Sequence, residues 1–520
     1  MTTPDSTWIE RLTLSPPSLS DNTADVDRLL SALRKKTNLG PIQADLELVR
    51  RLPDQLRQWH YAVRCLVFSD GATTRLCGVT AHDDPKIMAG LAVDLGTTVV
   101  ALRLIDLETG RALAESTFPN PQTTIGDDIL IRIHFADARE DGLTRLQRLV
   151  IDGLNGQIEA LCHSRGLVPD DLYLLTVAGN TTMIHFFLNL PPRWLIREPY
   201  IPVINEPGVI KAADLGLKAN PLARVYIFPN IGSYFGGDLL SGILYSGMAR
   251  EEKISLLVDV GTNAEVVLGN QQWLIACAGA AGPALEGGVT AVGAKAGPGV
   301  INRLTLDPVT GRLTIAAIDD LPPTGICGSA LIDLVAGLFS AGILDLRGKL
   351  AEDRLGRIRD NDGLREFVVV PAEASGTGRA LSLSQPDIDN LVRSKAAMYT
   401  ILRTLTTTVG LSFSDIETFY VAGTFGSFIN PRSAITIGML PDLPLSKFTV
   451  LGNSSLEGAA LALTSRAAVA EVPRIKKRLT YLELNVNQDF MNRFSAARFL
   501  PHTDVSRFPS VTVPGNNKKK

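Results

Sequence analysis

One pattern occurs twice in the 520 residues and narrows the folds open to them. LAVDLGTTVVALRL at 91–104 and LLVDVGTNAEVVLG at 256–269 each read as an apolar strand, an Asp-x-Gly-Thr turn and a second strand. Later in each half a strand runs into Val-Ala-Gly, in LLTVAGNTTM at 174–183 and FYVAGTFGSF at 419–428. The same order in both halves predicts two related α/β lobes, and two lobes imply a cleft.

The turns carry a chemical expectation of their own. A glycine lets backbone amides approach a phosphate oxygen with no Cβ in the way, and hydroxyl and amide side chains add donors. An aspartate at the strand end suits Mg²⁺ held through water. Asp94, Gly96, Thr97 and Thr98 therefore form one candidate phosphate hairpin, and Asp259, Gly261, Thr262 and Asn263 form its counterpart. In VAGTFGSF, residues Gly423, Thr424, Phe425 and Gly426 join a strand to a helix start, a geometry that accepts adenosine or a phosphate. Asp238 in YFGGDL and Glu265 in GTNAEV are further carboxylates near turns, placed to orient a water or ligate a metal, or else to act as a helix cap and a strand-end charge. Glu286 in AGPALEGG is a third such carboxylate.

Composition excludes several classes. Lys and Arg number 51 against 54 Asp and Glu, so the net charge of -3 lacks the positive field that nucleic acid binding draws on. The cysteines at 65, 77, 162, 277 and 327 form no C-x-x-C, which argues against a zinc ribbon or an iron–sulfur cluster in this chain. Cys277 and Cys327 sit beside glycine turns, yet their spacing fits buried small residues better than a redox pair. The start has no basic and apolar leader pattern, and no segment approaches about 18 uninterrupted apolar residues. A cytoplasmic, thiol-reduced protein with no membrane partner is expected.

Residues 1–37 read as an extended arm with one short helix, and 38–88 as a small α/β unit with strands around a turn at Asp70-Gly71. The first lobe is expected at 89–250 and the second at 251–515, with a disordered tail at 516–520. Helical spacing marks one buried stripe at 143, 146, 149, 150, 154 and 158, and another at 330, 331, 334, 335, 338 and 339. From 473 onward ten Lys/Arg face three Asp/Glu, a solvated basic face or a dock for an acidic partner.

These strings resemble a known group. The two hairpins and the adenosine turn look like the acetate and sugar kinase/Hsp70/actin superfamily. More closely, DLGTT, NPQTTIGDDILIRI, VAGNTTM, GGDLLSGIL, DVGTNAEVVL, AGPALEGG, GICGSALID, VAGTFGSFINP and LGNSSLEGA resemble the ATP-dependent reductive activators of corrinoid proteins. The likeness extends from LSPPSLSDNTADVDRL to DFMNRFSAARFLP, essentially the whole chain.

The resemblance implies a two-lobed actin-like or Hsp70-like ATPase with duplicated ribonuclease-H-like lobes, preceded by a linker arm and a small dimerisation domain, hence a homodimer. It implies ATP and Mg²⁺ as cofactors, the latter through water at Asp94 and Asp259; these two aspartates, with Asp238 and Glu265 added from their places near the turns, are the candidate catalytic carboxylates. The activity implied is return of a corrinoid protein of a methyl-transfer pathway from the cob(II) to the cob(I) state. Many members carry an iron–sulfur domain, and this sequence shows none, so the electron is expected from a separate ferredoxin-like protein. Leu285 stands where phenylalanine is more usual. ATP is expected to favour a closed pair of lobes. Moving a 1:99 population to 99:1 takes about 5.5 kcal/mol, or roughly 240 mV for one electron. A clamp or chaperone of a corrinoid protein and a small-molecule kinase with Asp238 as base are the alternatives.

Overall fold

The computed structural model describes residues 7–514 except 234, 262–263, 280–289, 309, 352, 362, 424–425 and 483–487. The chain forms two compact units, Met1–Gly247 with Ser454–Arg478, and Met248–Asn453 with Leu479–Lys520.

The first unit opens with a small four-stranded sheet. Its strands are β1 (Ile9–Thr13), β2 (Ile42–Ala44), β3 (Ala62–Ser69) and β4 (Thr74–Ala81), in the order β1-β3-β4-β2. Leu48, Leu52 and Leu56 recur every four residues on helix Leu46–Gln58, and with Leu29 and Leu33 of helix Asp25–Thr37 they bury one stripe each in this sheet's core. The expected arm is therefore part of the small α/β unit. β1 pairs antiparallel with β3 from Ile9 opposite Leu66 to Thr13 opposite Ala62, because Ile9 and the buried Trp8 are apolar enough to hold the segment on the sheet.

A six-stranded sheet follows, made of β5 (Ala89–Leu95), β6 (Val99–Asp106), β7 (Ala112–Pro119), β8 (Leu172–Gly179), β9 (Gly208–Lys211) and β10 (Arg224–Ile227), in the order β7-β6-β5-β8-β10-β9. β5 is apolar nearly throughout, as a strand covered on both faces must be, whereas the edge strand β7 alternates. Helix Gly142–His163 buries Leu146, Val150, Leu154 and Ile158, with Leu143 and Leu149 at the margin of the expected stripe. Helix Ser454–Thr464 also packs on this sheet: Thr176 Oγ1 donates to Ala459 O at 2.7 Å, and Arg103 of β6 grips Glu457 with two bonds of 2.7 and 2.6 Å. Residues 454–478 thus pack as part of the first compact unit. Their apolar stripe is complementary to the first sheet, a tertiary match with no local signal.

The second unit repeats the plan. Its strands β11 (Ser255–Val260), β12 (Ala264–Gly269), β13 (Leu274–Gly279), β14 (Thr418–Ala422), β15 (Phe448–Gly452) and β16 (Leu479–Tyr481) lie in the order β15-β14-β11-β12-β13-β16. In both units three antiparallel strands meander outward from the first strand, and two parallel strands follow on its other side. This shared order is the duplication foreseen from the sequence, an α/β fold of the ribonuclease-H-like kind. Two three-stranded sheets are added, one around Val300–Leu306 and one around Leu364–Val370. Helix Gly328–Ser340 buries Ile332 and Ala336 as well as the expected stripe, since it is enclosed in the core on more than one side. No helix among the described residues is long and apolar enough to cross a membrane.

Candidate functional site

Register makes the two hairpins equivalent. Asp94 lies opposite Ala178 of β8, and Asp259 opposite Ala422 of β14, so each aspartate ends its strand beside the Val-Ala-Gly strand. The repeat seen in the sequence is thus a repeat in space within each unit.

In the first unit, Gly96 turns so tightly that a Cβ there would stand 2.3 Å from Val99 O, which reserves the position for glycine. The turn is braced from behind. The buried Asn120 donates from Nδ2 to Gly96 O at 2.9 Å, and from its backbone N–H to Thr98 O at 2.8 Å. Asn180, which caps helix Thr181–Phe187, donates to Thr97 Oγ1 at 3.0 Å. Ser455 Oγ donates to Asp94 Oδ1 at 2.8 Å. Asp238 sits in the first turn of helix Gly237–Ser246, its Oδ1 accepting from Leu239 N at 2.9 Å. Burial, and then the charge of Asp94, push its pKa up to about 7. The first unit therefore brings Asp94, Asp238 and the 96–98 turn together.

Behind this turn lies a buried polar chain that sequence reasoning passed over. Gln122 N–H donates to Asn120 Oδ1 at 3.0 Å, and Gln122 Oε1 accepts from Arg132 Nη1 at 3.2 Å. Arg132 is fully buried, its Nε donates to Gly126 O at 2.7 Å, and its Nη2 has no hydrogen-bond partner. Burial pushes its pKa down to about 10. All three residues fall in NPQTTIGDDILIRI, so the motif was visible while the part each residue plays was not.

In the second unit, Asp259 and Glu265 face each other across the β11–β12 hairpin, two carboxylates on one face of the sheet. Gly423 has φ +87°, and a Cβ there would approach Asp259 Oδ1 and Val260 O to 2.6 Å. Asp259, Glu265 and Gly423 are thus gathered at one end of the sheet, with Gly261 in the hairpin turn between β11 and β12. Gly426 opens a short 3-10 turn, and the helix proper begins at Pro431, later than the sequence implied. Thr262, Asn263, Thr424 and Phe425, with Leu285 and Glu286, lie outside the described residues.

Among the described residues no group of three or more His, Cys, Asp or Glu side chains is arranged to hold a metal ion. A pair of carboxylates close enough for one to raise the other's pKa still suits Mg²⁺, which keeps several waters and takes one or two carboxylates plus substrate phosphates. Cys277 is buried, with its thiol pushed far up by that burial, and Cys327 Sγ lies 3.0 Å from Ser329 Oγ; neither has another cysteine as partner.

Known proteins share this plan. Three family models match end to end: the RACo linker region at 4–85, the RACo middle region at 89–251, and the C-terminal domain of RACo, the ASKHA domain, at 253–512. The chain belongs to the RACo family. Among solved structures, a reductive activator for corrinoid, iron-sulfur protein superposes on this RACo-family chain with a TM-score of 0.86 and 39% identity, covering 97% of this chain and 81% of that one. The corrinoid activation enzyme RamQ of Eubacterium limosum is 29% identical over 80% of this chain and 71% of its own length. A [Co(II) methylated amine-specific corrinoid protein] reductase of Methanosarcina barkeri is 24% identical over 78% of this chain and 76% of its own.

Proposed function

We propose that this chain is a cytoplasmic ATP-hydrolysing activator that restores a corrinoid protein of a methyl-transfer pathway from the cob(II) to the cob(I) state. The observation that carries the reading is the pair of register-equivalent aspartates, Asp94 and Asp259, each ending the first strand of a repeated sheet in a RACo-family chain. The 96–98 turn supplies amides and hydroxyls for phosphate oxygens, and Asp259, Gly261, Thr262, Asn263 and the Gly423–Gly426 turn serve the nucleotide from the second unit. Asp94, fixed by Ser455, and Asp259 are the carboxylates assigned to Mg²⁺, which when bound would neutralise phosphate charge. Asp238, poised near neutrality, takes the proton of the attacking water; Glu265 supports Asp259 on the same sheet face.

One electron per corrinoid is needed, and we assign its source to an iron–sulfur centre outside these 520 residues, on a ferredoxin-like protein. Residues 38–88 are assigned to dimerisation, and light scattering at the mass of two chains would bear this out.

Mixing the chain with a cob(II) corrinoid protein and reduced ferredoxin should give cob(I) absorption only when ATP is present. Asp94→Ala and Asp259→Ala should each lower ATP turnover about 100-fold or more, the scale of losing a positioned electrostatic group. Unchanged hydrolysis in both would falsify the site. Reduction without ATP would refute the coupling, and ATP-dependent binding without reduction would leave a clamp.

A further inference from the structure

The family motif DFMNRFSAARFLP at 489–501 and the arginines around it have no part in the nucleotide chemistry above. They enclose a cavity of about 220 Å³ in the second unit, lined by Tyr399, Arg403, Asn492, Arg493, His502 and Arg507 among others. Three segments deliver these groups: helix Gln385–Thr408, helix Gln488–Ala497 and the stretch after Leu500. Arg403 lies within two turns of the helix end that leads through 409–417 into the start of β14, whereas Gly423 follows the other end of that strand. The cavity is therefore distinct from the nucleotide turns.

Its charge is one-sided around Arg403. That half-buried guanidinium stacks 5.6 Å from the Phe413 ring, and no carboxylate or other acceptor hydrogen-bonds it among the described residues. Burial, and then the charges of Arg507 and Arg493, hold its pKa below the usual value. Arg507 is fixed by Asp504 at 3.1 Å and by the Tyr399 hydroxyl, and Arg493 donates to Thr407 Oγ1. His502 is buried, and its Nδ1 accepts from Asp504 N at 2.9 Å, which leaves its proton on Nε2. Burial, Arg507 and Lys395 push its pKa down to about 4, so it is a neutral donor. Lys395, fully buried, holds the same turn by donating to Phe499 O at 2.5 Å and Pro501 O at 2.7 Å.

Arg403, with no carboxylate bonded to it among the described residues, is held beside like charges at a cost that a bound anion removes. Several guanidinium forks from separate segments match a tetrahedral, multiply charged group better than one planar carboxylate. We propose that this cavity binds a phosphoryl anion, either inorganic or the head of a small phosphate monoester, with Arg403 as its principal contact.

The test is calorimetric titration of the full chain with pyrophosphate and orthophosphate at fixed ionic strength, with a saturating non-hydrolysable ATP analogue present to occupy the nucleotide site. One bound anion per chain is expected, with affinity reduced at least tenfold in both Arg403→Gln and Arg507→Gln while basal ATP turnover stays unchanged. Arg507 is well exposed, so its variant reports even where Arg403→Gln folds poorly. No heat with either anion at ~10 mM, tighter binding of citrate than of pyrophosphate, or affinity indifferent to both variants would overturn the proposal. So would loss of binding in Asp259→Ala with affinity retained in the arginine variants.

Discussion

Asp238 is held where its charge is unwelcome, and the sign of that effect can be worked out. Its pKa is raised to about 7 in the folded chain, against 3.8 for an ordinary aspartate, so between these values the folded state binds more proton than the unfolded one. Stability should fall as pH rises from about 4 to about 7. In Asp238→Asn that slope should flatten, and the metal-free variant should melt higher than the parent at pH 8 while ATP turnover drops about 100-fold. Thermal melts across pH beside a turnover profile check both; a parallel pH dependence in parent and variant would remove Asp238 from the site. Asn120→Ala should leave Gly96 O without its donor at a cost of about 1–3 kcal/mol and raise the KM for ATP. The aspartates and glycines of the turns were legible in the sequence because a turn is written in consecutive residues. Ser455 was not, since it reaches Asp94 across 361 positions, and neither was the bracing by Asn120, which is a burial effect.

Two helices converge where the first unit keeps its carboxylates. Gly458 of helix Ser454–Thr464 lies so near helix Gly237–Ser246 that a Cβ would stand 2.1 Å from Ser241 O. Gly458→Ala must push these helices apart, at about 1–3 kcal/mol for an overpacked contact. One carries Ser455 and the other Asp238, so turnover should fall together with the melting temperature. A drop in stability with full activity would show that the two helices do not set the carboxylate geometry. At this scale the sequence was readable where periodicity is local, as in helix Gly142–His163 and the hairpin about Asp70-Gly71, where Gly71 has φ +91°. It misled where neighbours decide: β1 was hidden in a polar arm, and helix Gly328–Ser340 carries more buried faces than one stripe.

The duplication was legible at the level of the molecule because both copies keep their turn residues. The return of the chain was not: Ser454–Arg478 packs with the first unit, and Leu479 onward rejoins the second. Hydrophobic pattern says that a helix needs a sheet to cover and leaves open which sheet.

That return of the chain has a practical consequence for anyone dissecting this protein. A truncation stopping at Gly247 discards the helix that roofs β5 and β8, along with the indole anchor between Trp8 and Ala462 O at 3.0 Å. Such a fragment should aggregate or show only a shallow melt, whereas 1–247 spliced through a flexible tether to 454–478 should recover a cooperative transition in circular dichroism. Independent excision of the amino-terminal half is thus ruled out by topology, however clean the cut looks on paper.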